Sequence, residues 1–187
     1  MLRALFLLAL LAAPALAAEV AGVRVDDRIK LDSGELVLNG AGLRTKYFLN
    51  LYVSGLYLTE KKTSAGEVLA LPGAKRITMR LMRNVSAKQL TDALELGIRS
   101  NTSAAERESL QERLGELTAI MNALQSAKEG DLIALDWLPE TGTRIVLNGE
   151  SRGKIIAGAD FYRALLRIWL GEDPAQESLK KSLLGGG

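Results

Sequence analysis

The chain contains neither cysteine nor histidine. That double absence excludes a Ser-His-Asp triad, a thiolate nucleophile and the ordinary zinc sites, so any acid–base work falls to Asp, Glu, Lys or Tyr. Disulfides are excluded too, although an oxidising compartment permits bridges without requiring them. A charge excess is also missing: Lys and Arg together number 24 and Asp and Glu 22. Near neutrality argues against nucleic acid as a partner. No Asp-x-Asp-x-Asp spacing suggests a carboxylate metal site, and neither a metal nor a cofactor is expected. Asp26-Asp27 and Glu172-Asp173 read as solvated turn and cap residues.

The first 17 residues have the form of a secretory signal. Arg3 supplies the positive region, Ala4 to Ala13 the apolar run, and Ala15-Leu16-Ala17 a small-x-small cleavage site. The apolar run is well short of the roughly 20 residues that span a bilayer, and Pro14 interrupts it. No later stretch is long and apolar enough to span. The expectation is a bacterial periplasmic or secreted protein, cleaved after Ala17. The remainder, 18–187, is about 170 residues, enough to bury a core as a single domain.

Elements follow from pattern. Short strands are expected over Val20–Val25 and Ile29–Leu38, and a short helix over Ser64–Leu71 that Pro72-Gly73 closes. A strand over Arg76–Met82 places Ile77, Met79 and Leu81 on one face. Ser86-Ala-Lys-Gln89 and Ser103-Ala-Ala-Glu106 are capping boxes, announcing one helix to about Ser100 and another to about Ala127 that Gly130 ends. Both should pack onto one face of the sheet. Strands over Asp131–Trp137, Thr143–Leu147 and Ser151–Ile156 follow, the last two joined by the hairpin dipeptide Asn148-Gly149. Gly158 to Asp160 caps a helix over Phe161–Leu170, which Gly171 stops. Asp173-Pro174 opens a final helix through about Leu184, followed by a frayed triple-glycine tail. Trp137 and Trp169, each within an apolar run, read as core anchors. Strands first, helices in the middle, hairpins and closing helices give a segregated α+β order, one antiparallel sheet with a helical layer.

The segment Leu38 to Leu58, LNGAGLRTKYFLNLYVSGLYL, is the most informative. It sets Arg44 in a glycine-framed turn ahead of an apolar strand that includes Phe48, Tyr52 and Tyr57, and a cation entering such a wall needs an anion or a carbonyl. Counting by twos along an unbroken strand puts Arg44 and Tyr52 on one face. Eight extended residues nevertheless separate them by about 26 Å, too far to share one small head group unless the strand bends.

On GAGLRTKYF followed by LYVSGLYL, on ITMRLM before a helix, and on the closing FYRALLRIWLGEDPAQESLKKSLLG, the chain resembles the chalcone isomerase-like family, in its secreted bacterial branch, over essentially all of 18–187. The resemblance implies an open-faced sandwich, a large antiparallel sheet covered on one side by helices, with a ligand cleft between them. The family includes plant enzymes that close chalcones to flavanones and non-catalytic relatives that bind fatty acids or assist other proteins. Its arginine falls on Arg44, which in the enzymes polarises a carbonyl and in the binders pairs with a carboxylate. A position that is threonine in the enzymes and tyrosine in the binders falls on Tyr52. The enzymes' helix tyrosine and asparagine fall nearest Lys88 and Glu95, and neither type matches; a late threonine falls near Ser151.

The resulting expectation is a non-catalytic periplasmic binder of a small amphipathic anion such as a fatty acid, with Arg44, Tyr52 and Ser151 as ligand-binding residues. Two alternatives stand beside it. One is an intramolecular lyase or isomerase acting on an aromatic ligand, with Arg44 as electrophile and Tyr52 or Lys88 handling protons. The other is a cell-envelope partner-binding module.

Overall fold

The computed structural model describes residues 17–32, 34–124 and 126–186. The expected leader therefore lies outside the described residues as far as residue 16. Among the described residues four strands come first, β1 (Ala17–Val20), β2 (Val23–Asp26), β3 (Arg28–Leu31) and β4 (Gly34–Lys46), followed by β5 (Leu49–Leu58), α1 (Ala65–Ala70) and β6 (Lys75–Leu81). Next come β7 (Val85–Ser86), α2 (Ala87–Ser100), α3 (Ala104–Ala123) and β8 (Ser126–Ala127). The chain closes with β9 (Leu132–Leu138), β10 (Gly142–Leu147), β11 (Glu150–Ile156), α4 (Ala159–Leu170) and α5 (Glu177–Leu183).

Seven strands form one curled antiparallel sheet in the order β11-β10-β9-β6-β5-β4-β3. Helices lie on one face of it. Alternation along β5 and β6 sends Ser54, Leu56, Leu58, Ile77, Met79 and Leu81 into the main core beneath them. The helix nearest the sheet is α4, buried on almost every side: Phe161, Tyr162, Leu165, Ile168 and Trp169 are all sequestered, and the Tyr162 hydroxyl donates to the Leu135 carbonyl at 3.0 Å. Contrary to the simple expectation, α2 packs chiefly against α4 and α3 rather than directly on the sheet. Gly97 makes that approach possible, since a Cβ there would meet Ile168 at 2.7 Å.

The opposite face carries a smaller cluster, Val25, Leu31, Leu36, Val53, Tyr57 and Leu138, partly roofed by the β1–β2 hairpin. Across its middle runs an ionic row. Asp136, fully buried, faces Arg76 on one neighbouring strand and Arg144 on the other. Its carboxylate accepts from Arg76 Nε at 2.5 Å and Nη2 at 2.7 Å, and from Arg144 Nη2 at 3.0 Å.

Several boundaries differ from the sequence reading. Helix α3 stops at Ala123, and Ser126–Ala127 instead pairs with Val85–Ser86, so Gly130 belongs to the turn before β9 and ends no helix. Asp173 and Pro174 lie outside α5, whose N-cap is Gln176. Asn101 takes both main-chain groups of Asp173 instead, donating to its carbonyl at 2.7 Å and accepting its N–H at 3.1 Å. The first two terminal glycines are not frayed. Gly185, at φ +80°, and Gly186 donate back to Ser182 and Lys181, and so close α5 with a left-handed cap.

Candidate functional site

The Arg44 segment is a hairpin rather than a single strand. Arg44 lies within β4, not in a turn, and Tyr52 lies on β5 directly opposite it. Cross-strand partners sit with Cβ atoms about 5 Å apart, so the separation that an unbroken strand would impose disappears. The reversal occurs at Tyr47 and Phe48, both left-handed at φ 50° and 64°. For non-glycine residues this costs roughly 1–2 kcal/mol each, and Asn-Gly is the usual occupant of such a turn. Phe48, expected in a buried strand, is instead fully exposed at 106% and Tyr47 at 82%.

Arg44 is half-buried on the helical side of the sheet. Its Nη1 donates to the Thr45 carbonyl at 2.8 Å and to Gln176 Oε1 at 3.0 Å. Gln176 Oε1 also accepts the Thr45 N–H at 2.9 Å, while its Nε2 donates to Ser178 Oγ at 2.6 Å. No carboxylate lies within ion-pairing distance of Arg44 among the described residues. Beside it, the Tyr52 hydroxyl accepts from Trp169 Nε1 at 2.9 Å. Because the oxygen accepts there, its own O–H remains a donor. Burial raises the Tyr52 pKa, and the Trp169 hydrogen bond and the Arg44 charge oppose that rise; the phenol stays protonated near neutrality. The site thus offers a guanidinium and a phenol side by side, both suited to an anionic or carbonyl oxygen.

Close packing holds α5 over this pair. A Cβ on Gly40 would collide with the Ser182 carbonyl oxygen, and one on Gly42 would meet Ser182 Cβ at 2.7 Å. The glycines that looked like turn residues are therefore the floor on which α5 rests.

Ser151 does not join this site. It is exposed on β11, four strand spacings from β5, or about 19 Å. Its neighbour Arg152 faces the helices, so alternation points Ser151 away from them. Lys88 and Glu95 are exposed on α2, and Lys88 Nζ pairs with Asp92 at 2.7 Å. Two of the hollows among the described residues lie elsewhere. One, of about 490 Å³, lies between α3 and β10–β11, with Ile120, Leu147 and Arg152 in its wall. The other, of about 280 Å³, lies between α1 and α4, beside Lys75 and Trp137. Neither is lined by Arg44 or Tyr52. Among the described residues no cluster of acidic side chains could hold a metal ion, and no helix is long and apolar enough to cross a membrane.

Two residues of the site were not identified from sequence. Trp169 is a core anchor as expected, yet its indole N–H also orients Tyr52. Gln176 lies 132 positions from Arg44, and nothing local marks it.

No curated protein matches the chain in sequence. Among solved structures it is similar in fold to a fatty-acid binding protein of Arabidopsis thaliana, with a TM-score of 0.65 at 16% identity, covering 87% of this chain and 92% of that one. The model of the family described as chalcone isomerase-like matches residues 17–185. With the curled antiparallel sheet, its helical cover and an arginine facing a tyrosine across two neighbouring strands, the chain belongs to the chalcone isomerase-like family.

Proposed function

We propose that this protein binds a small amphipathic anion, such as a fatty acid, without catalysis, and that it does so in the periplasm after loss of its leader. The observation that carries the reading is Arg44, held half-buried opposite Tyr52 with only neutral acceptors. Arginine is always charged and its hydrogen bonds are strongest to carboxylates, so an amide oxygen is a weak substitute for the partner it suits best. Gln176 Oε1 stands where one oxygen of a carboxylate would accept. Binding then exchanges this amide for the head group, with the Tyr52 O–H as a further donor. Entry of the tail beneath α5 then requires that helix to lift from Gly40 and Gly42, and the amide that binding displaces is the one that fastens its N-terminus to the sheet. The exposed Lys88 and Glu95, in place of the enzymes' tyrosine and asparagine, support a binder over an isomerase, and the fatty-acid binding protein of like fold agrees with the ligand class.

The test is calorimetric titration with palmitate. Arg44→Ala should weaken binding by about tenfold or more, the equivalent of about 1.4 kcal/mol, while Ser151→Ala leaves it unchanged. Equal affinity in wild type and Arg44→Ala would remove the basis of the proposal. Disappearance of the chalcone absorbance band above background, abolished by Arg44→Ala, would favour the isomerase instead.

A further inference from the structure

Among the described residues, little packs on the tip of the β4–β5 hairpin. Tyr47, Phe48 and Leu49 are 82%, 106% and 49% exposed, in sequence, at the end of a projecting two-stranded ribbon. Two of them occupy left-handed backbone that disfavours aromatic residues. Strain and exposure combined in one place point to a role outside the fold. The charge there has one sign: between Glu35 and Glu60 the only charged residues are Arg44 and Lys46. Lys46 is exposed, with its Nζ 5.5 Å from the Tyr47 ring centroid. Three apolar side chains are far fewer than the roughly 20–30 residues a side of a stable protein interface. Aromatic residues beside a lysine do match the interfacial zone of a bilayer, where rings lie at head-group level and cations meet anionic lipid.

We propose that the Tyr47-Phe48-Leu49 tip dips into the surface of an anionic phospholipid bilayer, with Lys46 on the head groups. Arg44 and Tyr52 form the second cross-strand pair beyond Lys46 and Leu49, which would bring the base of the hairpin to the membrane. The inference stands on the tip alone and does not require that Arg44 bind a carboxylate.

The experiment is co-sedimentation with vesicles of equal parts phosphatidylcholine and phosphatidylglycerol, compared with phosphatidylcholine alone. The informative variant is Tyr47→Asn with Phe48→Gly, since Asn-Gly is the sequence this turn prefers. Its melting temperature should equal or exceed that of wild type, while its vesicle partitioning falls about tenfold or more. Lys46→Glu should abolish the preference for phosphatidylglycerol, and Ser151→Ala, at the far edge of the sheet, should leave sedimentation unchanged. Failure of the wild type to sediment, unaltered partitioning of the double variant, or a fall in its melting temperature would each overturn the idea. So would a wild-type dimer that the double variant converts to monomer, which would make the tip a self-association surface.

Discussion

Two arginine-bearing regions on opposite faces of one sheet are built by the same device and end differently. On the face away from the helices, cross-strand pairing sets Arg76 and Arg144 on either side of Asp136, and every cation meets a carboxylate within 3.0 Å. On the helical face the same pairing sets Arg44 against Tyr52, and the guanidinium finds a carbonyl and an amide oxygen. A buried charge is tolerated only when paired or well hydrogen-bonded. The first region is complete within the chain. The second is satisfied but not neutralised, the condition in which an external anion has most to offer.

Breaking the completed region should have the largest effect. Asp136→Asn leaves two cations facing a neutral amide and should cost about 3 kcal/mol, read from the urea midpoint at constant slope; a loss as small as that of an exposed pair would show the row to be solvated. Lys75 extends the comparison to a third cation. It is 5% exposed, and its Nζ donates to the Leu71 carbonyl at 2.5 Å, at the C-terminal end of α1, with no carboxylate in ion-pair range among the described residues. Burial, then the Arg163 charge, lowers its pKa from 10.5 to about 8. Below pH 8 both folded and unfolded chains hold this proton, and the cost of burying the charge is fully present. Between pH 8 and 10.5 the unfolded chain binds more protons, so stability rises with pH. The difference in stability between wild type and Lys75→Met should therefore shift in favour of wild type by up to about 3 kcal/mol over that interval. A flat difference would mean that Lys75 titrates normally.

The smaller effects lie in the incomplete region. Arg44→Ala should change stability by under about 1 kcal/mol, because a half-buried guanidinium with neutral partners gains little from them, whereas its effect on palmitate affinity should be tenfold. Gln176→Glu supplies the missing carboxylate from within. It should raise stability by a few tenths to about 1 kcal/mol and weaken palmitate binding by competing for Arg44. Stronger palmitate binding in that variant would show that Gln176 does not stand in the ligand's place.

Much of the fold was legible because its signals are local. The serine caps at Ser86 and Ser103 place the starts of α2 and α3, although only Ser86 and Gln89 close the reciprocal box, the Glu106 carboxylate going to Arg167 instead, and Asn148-Gly149 makes the β10–β11 hairpin. Ser64 and Leu71 bound α1 as expected. The hairpin inside Leu38–Leu58 was hidden because its turn uses Tyr-Phe, the reverse of turn chemistry. Asp173-Pro174 looks like a helix start, but Asn101, at the C-cap of α2, claims Asp173 and the cap passes to Gln176. Ser151 was carried by resemblance alone, and strand order places it at the far edge of the sheet.

Arg44 and Tyr52 were identifiable as individual residues, since residue type and apolar surroundings are properties of the chain itself. Their adjacency was not, because a single reversal at Tyr47-Phe48 turns eight positions of contour into one cross-strand step. Nor was the character of the site: whether an arginine is neutralised depends on which distant side chain is packed against it. That choice fell to Gln176, delivered by α5 resting on Gly40 and Gly42. Sequence determines which groups exist and how each short stretch turns, while long-range packing alone decides which charge is left with an oxygen that carries none.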